Sequence, residues 1–298
     1  MLLELLKKEF LLNEKEAISF INTAPNRYKH YNIQKRHGGE REIAEPTRSL
    51  KKLQRWVLNK YFSTIECHSA AIAYSKNKSI KDFALPHAKK KYLLKMDFKD
   101  FFNSIKSDDF NLFLKERKLE LSDDEVDYIT NIFFCRNKKN NDLYLSIGAP
   151  TSPFISNLIM IDFDEQINAF CNKEGITYTR YADDLAFSTN IPNILFLIPP
   201  EIEKICSKVN YPKNLQINME KTVFTSKKHN RTLTGLVISN EGKISIGREK
   251  KRQLRAIAHK ASLKLLSSED LEKFKGMLAF LLSIDPDFSN SLKSKAKI

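Results

Sequence analysis

The sequence predicts an α+β fold: an antiparallel sheet that carries acidic residues, covered by helices and followed by a helical segment. Three observations predict it. Ile176 to Thr179 and Leu185 to Ser188 are strand-forming runs flanking Tyr181-Ala182-Asp183-Asp184, the pattern of a hairpin with acids at its tip. Tyr92 to Phe98 is an apolar run interrupted by one carboxylate, Asp97. Helical periodicity of apolar residues marks both ends of the chain.

Taken in order, residues 2–21 read as one amphipathic helix through Leu2, Leu5, Leu6, Phe10, Ala17, Ile18 and Ile21, ended by Pro25. Tyr28 to Ile33 reads as a strand, His37-Gly38-Gly39-Glu40 as a turn, and Arg41 to Ala44 as the return. This hairpin carries Lys35, Arg36 and Arg41, which suits a triphosphate and equally a solvated turn. Pro46 opens a helix whose Leu50, Leu53, Trp56, Val57 and Tyr61 make a core face, and Ala70 to Tyr74 reads as a short strand. After the 92–98 strand, Phe101 reads as core. Phe102 suits core or the base of a nucleotide pocket, where its bulk would exclude a ribose 2′-OH.

Helices are expected over 107–117 and 122–135, the second with Asp123, Asp124 and Glu125 in its first turn. Leu143 to Ile147 reads as a strand, and Gly148 to Pro153 as a small-residue turn that would let a base pair or primer end approach. A helix from 154 to 170 follows, with Asp162, Asp164 and Glu165 on its solvated side. A helix over 199–209 and strands at 223–224, 233–238 and 243–246 come next. In the helical last 50 residues, Arg248, Arg252, Arg255 and His259 recur at spacings of 4, 3 and 4. Leu254, Ala258, Ala261 and Leu265 form a separate apolar face, and Leu271, Phe274, Leu278 and Leu281 a final packed helix. A basic face of this kind suits a phosphate backbone, or solvent.

The 298 residues, 42% hydrophobic, suffice for a sizeable core in one to three subdomains. A net charge of +14 and a pI of about 9.4 favour a polyanionic partner, nucleic acid above membrane. Glu4, Lys7, Lys8 and Glu9 break the N-terminal apolar residues, against a signal peptide, and no apolar run is long enough for a transmembrane helix. Cys67, Cys135, Cys171 and Cys206 form no CxxC pair and read as reduced thiols of a cytoplasmic protein.

The chemistry lies in the acids. An Asp-Asp turn alone reads as solvated, but a carboxylate in an apolar strand is costly without a partner. Asp97 with Asp183 and Asp184 would place carboxylates around two Mg²⁺ ions, which about 4 Å apart clamp the attacking and leaving oxygens of a phosphoryl displacement.

From about Tyr31 to Asp285 the chain resembles a reverse transcriptase and is similar to the bacterial retron reverse transcriptases. The resemblance rests on Tyr181-Ala182-Asp183-Asp184, Asp97 with Phe101-Phe102, Gly148 to Pro153, Lys221-Thr222 and Thr234 to Ser239, in that family's order. It implies a right-hand polymerase: fingers over 1–90, palm over 91–240 with an inserted fingers segment at about 107–150, and thumb over 241–298. It also implies metal binding by Asp97, Asp183, Asp184 and the Phe98 carbonyl. Lys35, Arg41, Phe102 and Lys221 would meet the incoming dNTP. His87, Thr234 and Gly235, with the thumb residues Arg248, Arg252 and Arg255, would meet template RNA. Three positions depart from the family pattern: Phe83 for Asn, Leu233 for Val, and Ile147 for Gln, which removes an amide near the nucleotide.

The partners so implied are a structured non-coding RNA, its RNA-linked single-stranded DNA product primed from a 2′-OH, dNTPs, and a separate effector protein in phage defence. The chain is expected to lack endonuclease, maturase and RNase H domains. The rivals are another stand-alone bacterial reverse transcriptase and a non-catalytic RNA-binding scaffold, which would have no need of all three acids.

Overall fold

The computed structural model describes residues 1–35 and 38–298. Arg36 and His37, assigned by sequence to the basic hairpin and its turn, lie outside the described residues. The expected first helix is two. α1 (Leu2–Phe10) ends where Leu11 turns left-handed, φ 54. α2 (Glu14–Thr23) restarts at a capping box in which Asn13 and Glu16 each accept from the other's backbone N–H. Both helices bury their apolar residues, Leu2 and Leu6 then Ala17 and Ile21, in the same core.

β1 (Tyr28–Gln34) and β2 (Glu40–Pro46) pair antiparallel. Pro46 closes this ribbon rather than opening a helix. α3 (Arg48–Tyr61) begins at Thr47, whose hydroxyl caps the Leu50 N–H. The expected strand at 70–74 is a strap. Only Ala71 bridges to Arg180, and Tyr74, at φ 64, turns the chain away. α4 (Ile80–Ala84) runs into a 3₁₀ turn, Leu85–His87.

β3 (Tyr92–Asp97) leads to α5 (Phe101–Ser104), α6 (Ser107–Glu116) and α7 (Asp123–Phe133), the last capped by Ser122 and Glu125. β4 (Cys135–Arg136) and β5 (Leu143–Tyr144) form a short ribbon. The strand expected at 143–147 stops there because Leu145 N–H bonds the Ile105 carbonyl and the Ile147 carbonyl accepts from Ala44. The small-residue turn serves β2 in the same way: a Cβ on Gly148 would lie 2.9 Å from the Ala44 carbonyl oxygen. The expected 154–170 helix is broken at Met160 into α8 (Ser152–Ile159) and α9 (Ile161–Lys173).

β6 (Thr177–Tyr181), β7 (Asp184–Thr189), α10 (Ile198–Lys208) and β8 (Val223–Ser226) complete the centre, an antiparallel sheet ordered β6-β7-β3-β8. Strand alternation divides its side chains. Leu94, Met96, Leu185 and Phe187 enter a large core with α1–α3 and α6–α10. Leu93 and Ala186 enter a second core. That core is built with the three-stranded β9 (Arg231–Leu233), β10 (Leu236–Ile238) and β11 (Ile244–Ser245), and with α11 (Arg248–Ser262), α12 (Ser268–Ile284) and α13 (Pro286–Ala296). The sequence reading ended at α12. α13 follows it, capped by the Asp285 carboxylate, which also pairs with Lys251 of α11. Leu254 and Ala258 are buried as expected, but Leu265 lies past the end of α11 and is exposed. Among the described residues no helix is long and apolar enough to cross a membrane.

Candidate active site

Register brings the acids together. Asp97 and Asp184 are direct cross-strand partners at the ends of β3 and β7, on the face of Leu93 and Ala186. Like charges in that relation repel. Asp183 sits in the two-residue loop between Tyr181 and Asp184, with Ala182 before it at φ 57. The chain on either side holds the end of β3. Phe98 N–H donates to the Asp183 carbonyl at 3.1 Å, and Asn218 N–H to the Asp97 carbonyl at 2.7 Å. A 3₁₀ turn, Met219–Lys221, then returns Lys221, whose Nζ lies 3.0 and 3.1 Å from the two Asp97 carboxylate oxygens.

Asp97, Asp183, Asn218 and Lys221 line a cleft of about 630 Å³. Asp97, Phe98, Asp183 and Lys221 form one side, and Lys35 and Arg41 reach it from the β1–β2 ribbon. Phe102, Tyr74 and Ile147 form an apolar wall; the Phe102 ring centroid is 6.4 Å from that of Tyr74 and 5.3 Å from that of the buried Phe101. The cleft therefore offers the carboxylates of Asp97 and Asp183, the cations Lys35 and Arg41 beside Glu40 and Glu42 from the ribbon, and an aromatic wall, parts that could hold a nucleoside triphosphate with a cation. Ile147, where an amide was the family expectation, adds only apolar surface.

Burial, then the charge of Asp97, raises the pKa of Asp183. Burial, then Asp183 and Asp97, pushes Asp184 up to about 7, with Lys221 opposing. The cleft is thus crowded with negative charge that a cation would relieve. Among the described residues no three His, Cys, Asp or Glu side chains converge into a ready metal cage. The donor set still fits Mg²⁺, which takes one or two carboxylates and completes its shell with water and substrate phosphates.

Thr234 and Gly235, at φ 45 and 83, form the two-residue turn between β9 and β10. They line a second cleft of about 250 Å³, which shares Asp97 and Lys221 with the first and contains Asp184. Arg248, Arg252 and Arg255 lie exposed along α11 and line neither cleft; the Arg255 guanidinium covers the Phe288 ring at 5.1 Å.

Two sequence assignments are corrected. His87 cannot touch RNA directly, because it is fully buried between Ser188 Oγ at 2.7 Å and Thr179 Oγ1 at 2.8 Å. Burial, with Lys90 nearby, depresses its pKa to about 3, so the ring is neutral. Asp164 is not solvated. It is fully buried and accepts from Arg180 Nε at 2.9 Å, Arg180 Nη2 at 2.6 Å and the Tyr178 hydroxyl at 2.7 Å. Asp162, by contrast, pairs with Arg117 at the surface. Sequence reasoning missed Arg180, Asn157 and Tyr74. A charged residue inside the buried strand β6 was the available signal, by the logic that singled out Asp97.

Residues 33–238 match the family described as reverse transcriptase (RNA-dependent DNA polymerase). The chain is 38% identical over 270 residues to the Retron Ec83 reverse transcriptase of Escherichia coli, covering 90% of this chain and 86% of that protein. The chain belongs to the bacterial retron reverse transcriptases. Identity to the Retron Ec73 reverse transcriptase of Escherichia coli is 34% over 296 residues, covering 95% and 92%. This retron reverse transcriptase is an RNA-directed DNA polymerase with a right-hand fold. Among solved structures, telomerase from Candida tropicalis in complex with a fragment of telomeric RNA superposes with a TM-score of 0.51 at 15% identity, over 90% of this chain and 52% of that one. At that identity the likeness concerns the fold alone.

Proposed function

We propose that this enzyme copies part of a bound, structured non-coding RNA into single-stranded DNA. Synthesis starts from an RNA 2′-OH, so the product stays joined to the RNA, and it serves antiphage defence with a separate effector protein in the cytoplasm. The observation that carries the catalytic part is the cross-strand pair Asp97–Asp184 with Asp183 beside it, Asp97 and Asp183 lining one cleft with Lys35 and Arg41. Similarity to two Escherichia coli retron enzymes supports the RNA-linked product.

In this reading residues 1–90 are fingers, 91–240 palm with the segment at about 107–150 inserted, and 241–298 thumb. Asp97, Asp183, Asp184 and the Phe98 carbonyl hold two Mg²⁺, which when bound lower the pKa of the attacking hydroxyl and offset charge on the departing pyrophosphate. Lys35 and Arg41 bind the triphosphate, and Lys221 leaves Asp97 to meet the leaving group. Phe102 closes the space that a ribose 2′-OH would need. Thr234 and Gly235, behind the acids, and the basic face of α11 hold the RNA.

The test is to purify the protein from cells carrying its native flanking DNA and to treat the bound nucleic acid with RNase, DNase and debranching enzyme, beside Asp183→Asn. A DNase-sensitive strand joined to RNA, absent from the variant while RNA stays bound, is expected. DNA synthesis retained by Asp183→Asn refutes the site, and RNA without DNA in both samples favours a scaffold.

A further inference from the structure

We propose that Asn157, Arg180 and Asp164 form a buried positioning core that holds the Asp183 loop and the Tyr74–Phe102 wall in register with each other. The inference rests on the reading of the main cleft as the nucleotide site. None of the three residues lines that cleft, so their action is through others.

Arg180 is fully buried, and one side of its guanidinium is held by the Asp164 carboxylate. Its Nη1 donates to the Ala182 carbonyl at 3.2 Å and to Asn157 Oδ1 at 3.1 Å. The other end of the same amide, Asn157 Nδ2, donates to the Ala73 carbonyl at 2.8 Å. Each carbonyl caught in this way lies next to a strained residue or belongs to one. Ala182, at φ 57, immediately precedes Asp183, and Ala73 immediately precedes Tyr74, at φ 64. Left-handed conformations at residues other than glycine persist only where their surroundings over-determine them.

Backbone bonds strap the same two pieces together, with Arg180 N–H donating to the Ala70 carbonyl and Ile72 N–H to the Arg180 carbonyl, both at 2.8 Å. The core therefore has two arms. Arg180 fixes where Asp183 enters the cleft, and Asn157 fixes where Tyr74 stands against Phe102. A lysine at 180 keeps the charge but not the planar fork that reaches three acceptors.

The full chain carrying Asn157→Ala, Asn157→Asp or Arg180→Lys is tested on a DNA-primed RNA template, with dNTPs and with single ribonucleotides, beside wild type. Asn157→Ala and Arg180→Lys should lose roughly 10- to 100-fold in kcat, the scale of a misplacement near 1 Å, with RNA binding intact. Asn157→Asp keeps the acceptor for Arg180 and loses the donor to Ala73, so it should lose ribonucleotide exclusion more than kcat. Folded Asn157→Ala with wild-type kcat, KM and ribonucleotide exclusion overturns the proposal. Equal losses in Asn157→Asp overturn the division into two arms. If Asn157→Ala or Arg180→Lys fails to fold, Asn157→Asp decides. A wild-type enzyme that extends no primer counts against the nucleotide reading itself.

Discussion

Asp164→Ala should be among the most damaging single changes in this protein although it lies outside the cleft. Asp164 and Arg180 are both fully buried, and the carboxylate accepts from two guanidinium nitrogens and from the Tyr178 hydroxyl. Removing one partner of a buried ion pair costs about 3–5 kcal/mol, because the other charge stays in a low dielectric. A buried hydroxyl left without its acceptor adds about 1–3 kcal/mol. The sum, roughly 4–8 kcal/mol, approaches the whole stability of a typical domain, about 5–15 kcal/mol. Urea unfolding followed by circular dichroism measures it, with Asp162→Ala as the control. Asp162 lies two residues away on the same helix but pairs with Arg117 at a half-exposed site, so its loss should stay within about 1 kcal/mol. Failure of Asp164→Ala to accumulate as folded protein agrees with the upper end. A loss below about 1 kcal/mol would refute the placement of Asp164 in the core.

Three further outcomes follow from the geometry. His87 is held neutral with its pKa depressed to about 3, whereas the unfolded chain has an ordinary imidazole. The unfolded state therefore binds the extra proton below about pH 6.5, and stability should fall by about 1.6 kcal/mol between pH 6.5 and 5; chemical unfolding of His87→Gln over the same range should show a shallower slope, and an equal slope would contradict the assignment. Phe102→Ala should admit ribonucleotides, raising their incorporation relative to dNTPs by tenfold or more in single-nucleotide extension, with little change in Tm because Phe102 is only half-buried. Replacing Arg248, Arg252 and Arg255 together by alanine should weaken RNA binding and flatten its salt dependence by about 2 to 3 in log–log slope, while synthesis at saturating RNA persists.

The acids proposed to carry the chemistry were legible because their signals are local. A carboxylate in the middle of an apolar strand and an acid pair between two strand-forming runs each violate a burial rule within a few residues, and antiparallel register then makes Asp97 and Asp184 partners. The order of the hairpins, the cap at Ser122 and the basic stripe of α11 are local in the same sense. What the sequence by itself determined was therefore the class of fold and the three acids as candidates, while it left Phe102 between core and pocket wall.

Tertiary structure decided which polar residues are buried, since burial depends on what arrives from elsewhere in the chain. Asp162 and Asp164 look alike in sequence. The break at Met160 sets the phase of α9, so that Asp164 falls on the stripe of Ile161, Ile167 and Cys171 and meets Arg180, while Asp162 faces outward. Ala70 to Tyr74 has a strand's composition, yet it became a strap because Asn157 and Arg180 capture its backbone before a ladder can extend. His87 has no ligand spacing and no special neighbours in sequence. Only the folding of Thr179 and Ser188 around it made it a buried neutral ring, because two hydroxyls from different strands satisfy both nitrogens at once.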